Sequence, residues 1–331
     1  MAGNETYRIS IKNGHCGIMP NYECSAACRH CLYACSPTRS VGYMSKAMME
    51  ETCRTLAEGG CRSVHIGGGE PFLDFDGLIS LLNNCKKFGI AVEYIETNAS
   101  WVESDADITE RLRALAKAGA DTLCISVDPY HAEYVPYAKP LKLAEICGKI
   151  GFGYFLWQER FLRVMDGLDA GKAHDRDSLE KNLGGDYIND VARMYGLRMG
   201  GRAINIETEY SPRKPLGDVL KSSPCQGLLS VGHFHVDMYN RFIPPGCTGL
   251  VVPMKEITAG ITLGRYPAFE ALLTGGVKKL YDIAASEHDF APDPMGYSSG
   301  CALCFHIRRH LSKLDGFSEL DAEFYEESLL Y

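Results

Sequence analysis

The sequence predicts an α/β fold built on a parallel sheet. Strand-like and helix-like segments alternate through the first half at a spacing of roughly thirty residues. Glycines close the helical segments, and polar or special residues stand at the strand tips, where parallel β/α sheets place their ligands. Cys16 to Met19 is the first expected strand and delivers a cysteine-rich loop at its C-terminal end. Ser45 can cap a helix running to Glu58, and Gly59-Gly60 ends it. Ser63 to Ile66 is the second strand, with a glycine run at its tip. A helix over Asp76 to Lys87, stopped near Gly89, leads to a strand over Ala91 to Glu96 and the tip Thr97-Asn98. A helix over Asp105 to Lys117, closed by Gly119, leads to a strand over Thr122 to Val127 with Ser126 and Asp128 at its tip. The rhythm continues with a helix over Leu141 to Lys149 and a strand over Gly153 to Gln158. A sixth unit is expected from a Ser178 to Tyr195 helix into a strand over Ala203 to Glu207, after an irregular insertion over Arg160 to Asp177. Beyond Ser211 the rhythm stops, and Pro212, Pro215 and Pro224 mark a boundary. Two domains are expected, residues 1–210 and 211–331.

Two motifs carry the chemistry. Cys24, Cys28 and Cys31 form a Cys-x3-Cys-x2-Cys run, and Gly67-Gly68-Gly69-Glu70-Pro71 follows the second strand. Three closely spaced thiolates can hold three corners of a cubane iron-sulfur cluster and leave one iron open to chemistry. With Cys35 as a fourth ligand the same stretch would suit a closed zinc site. Zinc, however, leaves the downstream glycine run without a role. In both motifs, their order and their separation, residues 15 to 130 resemble the radical S-adenosylmethionine (radical SAM) superfamily.

That resemblance implies a partial (β/α)6 barrel. Cys24, Cys28 and Cys31 would hold a 4Fe-4S cluster whose open iron takes the amino and carboxylate groups of SAM. The turn at Gly67, Gly68 and Gly69 would hold the methionyl amino group, with Glu70 orienting it. His30 stands where relatives place an aromatic residue beside the adenine. Thr97 and Asn98 resemble a Thr-Asn-Gly element, with Ala99 in place of the glycine, and Ser126 and Asp128 resemble a Ser-x-Asp near the ribose or carboxylate. Thr97, Asn98, Ser126 and Asp128 also fit a purely local reading as turn and cap residues. The implied reaction is reductive cleavage of SAM to a 5′-deoxyadenosyl radical that removes a substrate hydrogen. The electron would come from a donor such as flavodoxin or ferredoxin.

A second cysteine set follows the boundary. Cys225, Cys247, Cys301 and Cys304 resemble the auxiliary-cluster appendages called SPASM and twitch, above all the short form of 2-deoxy-scyllo-inosamine dehydrogenase and, more broadly, anaerobic sulfatase-maturating enzymes. The resemblance implies a small C-terminal domain with a second 4Fe-4S cluster, closed to substrate and acting as an electron relay. A structural zinc suits four thiolates as well. Cys225 and Cys247 flank an expected β-hairpin, His233 to Met238 returning through Phe242. His233, His235 and Asp237 alternate along its first strand and so share a face, as ligands or as packing.

Composition bounds the function. A formal charge of −8 and a pI near 5.7 argue against wide phosphate-backbone binding, so nucleic acid is not expected as a partner. Arg308, Arg309 and His310 read as a solvated helix face. No apolar run is long enough for a signal peptide or a bilayer span. A cytoplasmic protein is expected, whose 14 cysteines serve as ligands and free thiols instead of disulfides. Two substrates suit the appendage: a small molecule that is oxidised or dehydrogenated, or a peptide side chain that is modified. The cysteine loop begins too early for a preceding peptide-recognition domain, which favours the small molecule. A noncatalytic iron-sulfur or zinc protein is the third reading, and it would need no glycine turn. Tyr130, His131, Tyr134, Tyr154, Trp157, Gln158, Glu159 and Arg160 stand near strand ends as candidate pocket residues. No residue is singled out as a catalytic base.

Overall fold

The computed structural model describes residues 6–39, 42–197, 200–221, 223–262 and 264–330. The main sheet starts with five strands, β2 (Cys16–Ile18), β3 (Ser63–Ile66), β4 (Ala91–Thr97), β5 (Thr122–Ser126) and β6 (Gly153–Trp157). Each pairs in parallel with the next. The connecting helices are α1 (Lys46–Glu58), α2 (Phe75–Lys87), α3 (Asp105–Ala118), the short α4 (Pro129–Ala132) and α5 (Ala138–Ile150). Their ends follow the local chemistry. Ser45 and Ser104 accept hydrogen bonds from the first turns of α1 and α3, and Gly119 and Gly151 close α3 and α5 in the left-handed conformation.

The sixth parallel strand is not where the sequence placed it. Ala203–Tyr210 is a helix, α9, although it alternates apolar residues as a strand would. Short apolar runs do not distinguish the two periods. Here the packing around Arg202 decides for helix, because that residue is anchored on the cysteine loop just before α9. The sixth strand is instead β7 (Phe234–Val236), which pairs in parallel with the other edge of β2. β8 (Arg241–Ile243) returns antiparallel to β7 as the expected hairpin, and β9 (Val252–Pro253) follows. The strand order is β6-β5-β4-β3-β2-β7-β8-β9. The sheet therefore runs on across residue 211, whose chain lies between α9 and α10 (Leu216–Val219). A separate two-stranded ribbon pairs β1 (Thr6–Tyr7) with β10 (Ile261–Thr262).

The expected insertion over Arg160 to Asp177 holds α6 (Phe161–Val164), and the single helix expected over Ser178 to Tyr195 is instead two, α7 (Arg176–Leu183) and α8 (Tyr187–Tyr195), parted at Gly184. Phe161, Met165, Leu179, Ile188 and Val191 from it pack with Met19, Tyr22 and Cys28 in a small core behind the cysteine loop. The larger core lies between the helices and the outer face of the sheet, around Ile18, Val64, Ile66, Ile95 and Leu123. The C-terminal part adds α11 (Met254–Ala259), the kinked α12 (Pro267–Glu287), α13 (Gly300–Leu311) and α14 (Ala322–Glu327). At the kink Gly276 has φ 68°, and a Cβ there would lie 2.6 Å from the Ser223 carbonyl oxygen. Only glycine lets the segment bearing Cys225 approach α12 this closely. Among the described residues no helix is long and apolar enough to cross a membrane.

Candidate cluster and cofactor site

The three thiols of the first motif converge. Cys24, Cys28 and Cys31 line one cavity of ≈ 100 Å³ at the carboxyl ends of β2 to β5, together with His30, Gly68, Gly69, Glu96, Thr97, Asn98, Ser126 and His131. Cys35 also lines it, and its backbone N–H donates to Cys31 Sγ at 3.4 Å. That hydrogen-bonded neighbour, helped by the Arg202 guanidinium, holds the Cys31 thiol well below its ordinary range against the opposing effect of burial. A lowered pKa favours the thiolate that binds metal.

The glycine turn packs too closely on the cysteine loop to carry side chains. A Cβ on Gly69 would lie 1.9 Å from the Glu23 carbonyl oxygen, and one on Gly68, at φ 110°, would lie 2.7 Å from that of Asn21. The turn is thus pressed against the cysteine loop, with Asn21 Nδ2 donating to the Glu70 carbonyl at 3.0 Å. Glu70 itself is fully buried and lies behind the cavity. Its carboxylate accepts from Phe72 N at 3.1 Å, Asn98 N at 2.8 Å and Thr97 Oγ1 at 3.0 Å. It ties the glycine turn to the tip of β4, and its acceptor capacity is largely spent within the protein. Burial raises its pKa to about 7 despite those donors.

Asn98 reaches the cysteines directly, donating from Nδ2 to Ser25 Oγ at 3.1 Å and towards Cys24 Sγ at 3.5 Å. Ala99, the departure from the glycine of the relatives, has φ 61°. Asp128 caps α4 through His131 N and pairs with His131 Nδ1 at 2.8 Å, so the imidazole of His131 lies in the cavity with Asp128 behind it. Burial opposes charge on His131, but the Asp128 carboxylate and Cys28 hold its pKa well above the ordinary value. His30 stacks on Tyr130, 4.9 Å between centroids, and its buried Nδ1 has no hydrogen-bond partner among the described residues. Tyr130 is core, its hydroxyl donating to the Ile188 carbonyl, whereas Trp157 is exposed at the tip of β6 and donates to Tyr195 Oη at 2.8 Å.

Two residues escaped the sequence reading. Arg202 is fully buried; its Nε donates to the Cys28 carbonyl at 2.9 Å, its Nη2 to that of Cys35, and its backbone N to that of Cys31. Gly201 beside it has φ 51°, and a Cβ there would lie 2.3 Å from the Cys31 carbonyl oxygen. A lone arginine after a glycine pair carries no sequence signal of such a role. Glu96, on the cavity wall, is raised to about 7 by the crowding of the cleft although its side chain keeps 43% exposure.

The four later cysteines also come together. Cys301 and Cys304 sit in the first turn of α13, capped by Ser299, and Cys225 and Cys247 face them from two loops. Burial, then the neighbouring thiols, raises Cys225 to about 11, and burial raises Cys247 to about 12. Arg308, read from sequence as part of a solvated face, is buried. It donates to the Thr248 carbonyl at 3.0 Å and to Cys304. The reason is its position, two turns of helix from Cys301 on the inward side of α13.

The donor set of the first motif can hold three corners of a cubane. Sulfurs around a tetrahedral zinc ion stand roughly 3.8 Å apart. Among the described residues the donor trios within 4.8 Å of one another are His15, His65 and His233, and His30, Asp128 and His131; neither contains a cysteine. The three converging thiols of the first motif, the backbone of Gly68 and Gly69 in the same cavity and the unpartnered His30 nitrogen suit a cubane and a bound nucleoside.

Residues 18–156 match the family described as the Radical SAM superfamily. YydG of Bacillus subtilis (strain 168), named for peptide biosynthesis, is 31% identical over 113 residues, 34% of this chain and 35% of that protein. A Methanothermobacter thermautotrophicus protein named as a GTP 3′,8-cyclase is 27% identical over 110 residues, 33% of each chain. The aligned segments thus span about a third of these curated relatives. Among solved structures, anSMEcpe with bound AdoMet gives a TM-score of 0.45 at 12% identity over 90% of this chain and 97% of that one. BtrN in complex with AdoMet and 2-DOIA gives 0.41 at 14% identity over 80% and 89%. The family match, in step with the cysteine loop and glycine turn, identifies residues 18–156 of this chain as a domain of the radical SAM superfamily.

Proposed function

We propose that the chain is a radical SAM enzyme that abstracts a hydrogen atom from a substrate held at the carboxyl ends of β2 to β6. One observation carries the reading: three thiols, the glycine turn, Asn98, Ser126 and the half-buried His30 line a single cavity. When bound, the 4Fe-4S cluster and SAM supply a one-electron cleavage that yields methionine and the 5′-deoxyadenosyl radical. Cys24, Cys28 and Cys31 would hold the cluster. Arg202 draws three carbonyls of the loop inward and fixes the spacing of the thiols. Gly68 and Gly69 line the cavity with backbone, Glu70 holds that turn to β4, and the half-buried His30, stacked on Tyr130, would offer its remaining ring surface to a nucleobase. The helices α6 to α8 cover the loop and exclude water from it.

Cys225, Cys247, Cys301 and Cys304 would hold a second, closed 4Fe-4S cluster that relays an electron during oxidation of a small molecule. Peptide side-chain modification is the second reading, favoured by the likeness to YydG over 113 residues. Anaerobic reconstitution with a chemical reductant tests the class. Formation of 5′-deoxyadenosine is expected, and its absence from a protein with full cluster content would refute the proposal. Product masses from small-molecule and peptide libraries then separate the two substrate readings.

A further inference from the structure

Below the cysteine cavity the inner face of the sheet carries a second set of donors. Gly17 on β2 pairs with His65 on β3 on one side and with His235 on β7 on the other. The two imidazoles meet over the glycine, Nε2 to Nε2 at 3.3 Å. A Cβ on Gly17 would lie 2.5 Å from each of those nitrogens, so only glycine permits the approach. Two residues earlier on β2 and β7 the same face brings His15 Nδ1 to 2.8 Å from His233 Nδ1. Donor nitrogens of His15, His65 and His233 all lie within 4.8 Å of one another.

The surroundings are those of a ligand set. His15 Nε2 contacts Glu93 Oε2 at 3.0 Å, and His235 Nδ1 contacts Tyr33 Oη at 2.8 Å. Each of these two rings is held from its far nitrogen and presents the near one to the cluster, as metal-bound histidines are held by carboxylates and hydroxyls. One extra residue in β4, between the pairs Val64 with Val92 and Ile66 with Ile95, lets consecutive residues serve the site: Glu93 holds His15, and Tyr94 stacks on His65 with centroids 5.1 Å apart. His65 is fully buried, and its Nδ1 has no hydrogen-bond partner among the described residues. A buried imidazole nitrogen left unpaired calls for a ligand or an ion. Asp237, which shares the strand, is not part of the set; its carboxylate is engaged by Tyr22 and Arg241.

We infer that His15, His65 and His233, with His235 beside His65, form a mononuclear binding site for a divalent first-row transition ion such as zinc or iron(II), separate from both cysteine sets. Imidazole donors suit these ions, and nitrogens around one ion stand roughly 3.4 Å apart, a spacing that small ring rotations reach from the distances above. Glu96 Oε1, 3.8 Å from His65 Nε2, lies between this site and the cysteine cavity. The proposed SAM chemistry does not depend on the ion.

Cobalt(II) is the probe. The full chain carrying its iron-sulfur clusters is titrated anaerobically with cobalt(II), desalted and analysed for cobalt and iron per chain and for visible d–d bands. One retained cobalt is expected, with d–d bands and no thiolate charge-transfer band. His15→Gln and His233→Gln should each weaken it by more than about tenfold, since even outer-shell losses cost that much. Their iron content should not change. His15 is partly exposed and its variant should fold even if His65→Gln does not. Retention of no cobalt by the wild-type chain, or binding unaffected by the histidine variants, would overturn the inference.

Discussion

The two cysteine sets reach the same end by opposite routes. The first lies within one loop of eight residues, Cys24 to Cys31, and its spacing is local, but the loop has no regular structure of its own. Its shape comes from outside, from Arg202, the glycine turn and Asn98. The second is assembled from three distant segments, yet two of its members stand on a capped helix whose geometry is self-made. Buried arginines brace both sets, Arg202 and Arg39 at the first and Arg308 at the second. A fixed spacing in sequence therefore says where thiols gather, while the scaffold that holds them there must be read from tertiary contacts.

The sharpest way to break this comparison is to remove each set whole. Replacing Cys24, Cys28 and Cys31 by Ala should abolish 5′-deoxyadenosine formation and lower iron from about eight to about four per chain. Replacing Cys225, Cys247, Cys301 and Cys304 by Ala should also remove about four irons but leave SAM cleavage measurable. Zinc in place of that second loss of iron would show the later set to be a zinc site.

The arginines come next. Arg202→Ala loses charged donors to two carbonyls and should cost about 3–5 kcal/mol in urea denaturation, with early loss of iron. Arg308→Ala loses one such carbonyl contact and should cost about 2 kcal/mol. Equal costs would mean that the two scaffolds are alike. Of the caps, Glu70→Gln should cost about 1–3 kcal/mol and raise the KM for SAM, because three donors converge on the carboxylate. Ser299→Ala should cost about 1 kcal/mol and leave that KM unchanged. The smallest effect is a gain: Ala99→Gly relieves a left-handed residue and should raise stability by about 1 kcal/mol.

The β/α rhythm was legible where helices carry their own start or stop signals. Ser45, Ser104, Gly119 and Gly151 sit where local chemistry alone requires them. Ala203 to Glu207 misled because its alternation is too short to separate strand from helix, and the deciding contact is with a loop far earlier in the chain. His233 and His235 could be placed on one face by parity. Their partners His15 and His65 could not, because only the parallel register of β7 on β2 puts Gly17 between them. Glu70, which the resemblance assigns to orienting the methionyl amino group, has its carboxylate buried behind the turn as a cap, where it gathers N–H and O–H groups that the strand tips leave unpaired.

The position of β7 also orders events during synthesis. One edge of β2 waits for a partner more than two hundred residues downstream, so the ribosome must release most of the chain before the first strand is enclosed. Contacts of such high sequence separation form slowly. Until then the nascent protein displays an unpaired strand edge next to the cysteine loop, the kind of surface that pairs with other chains.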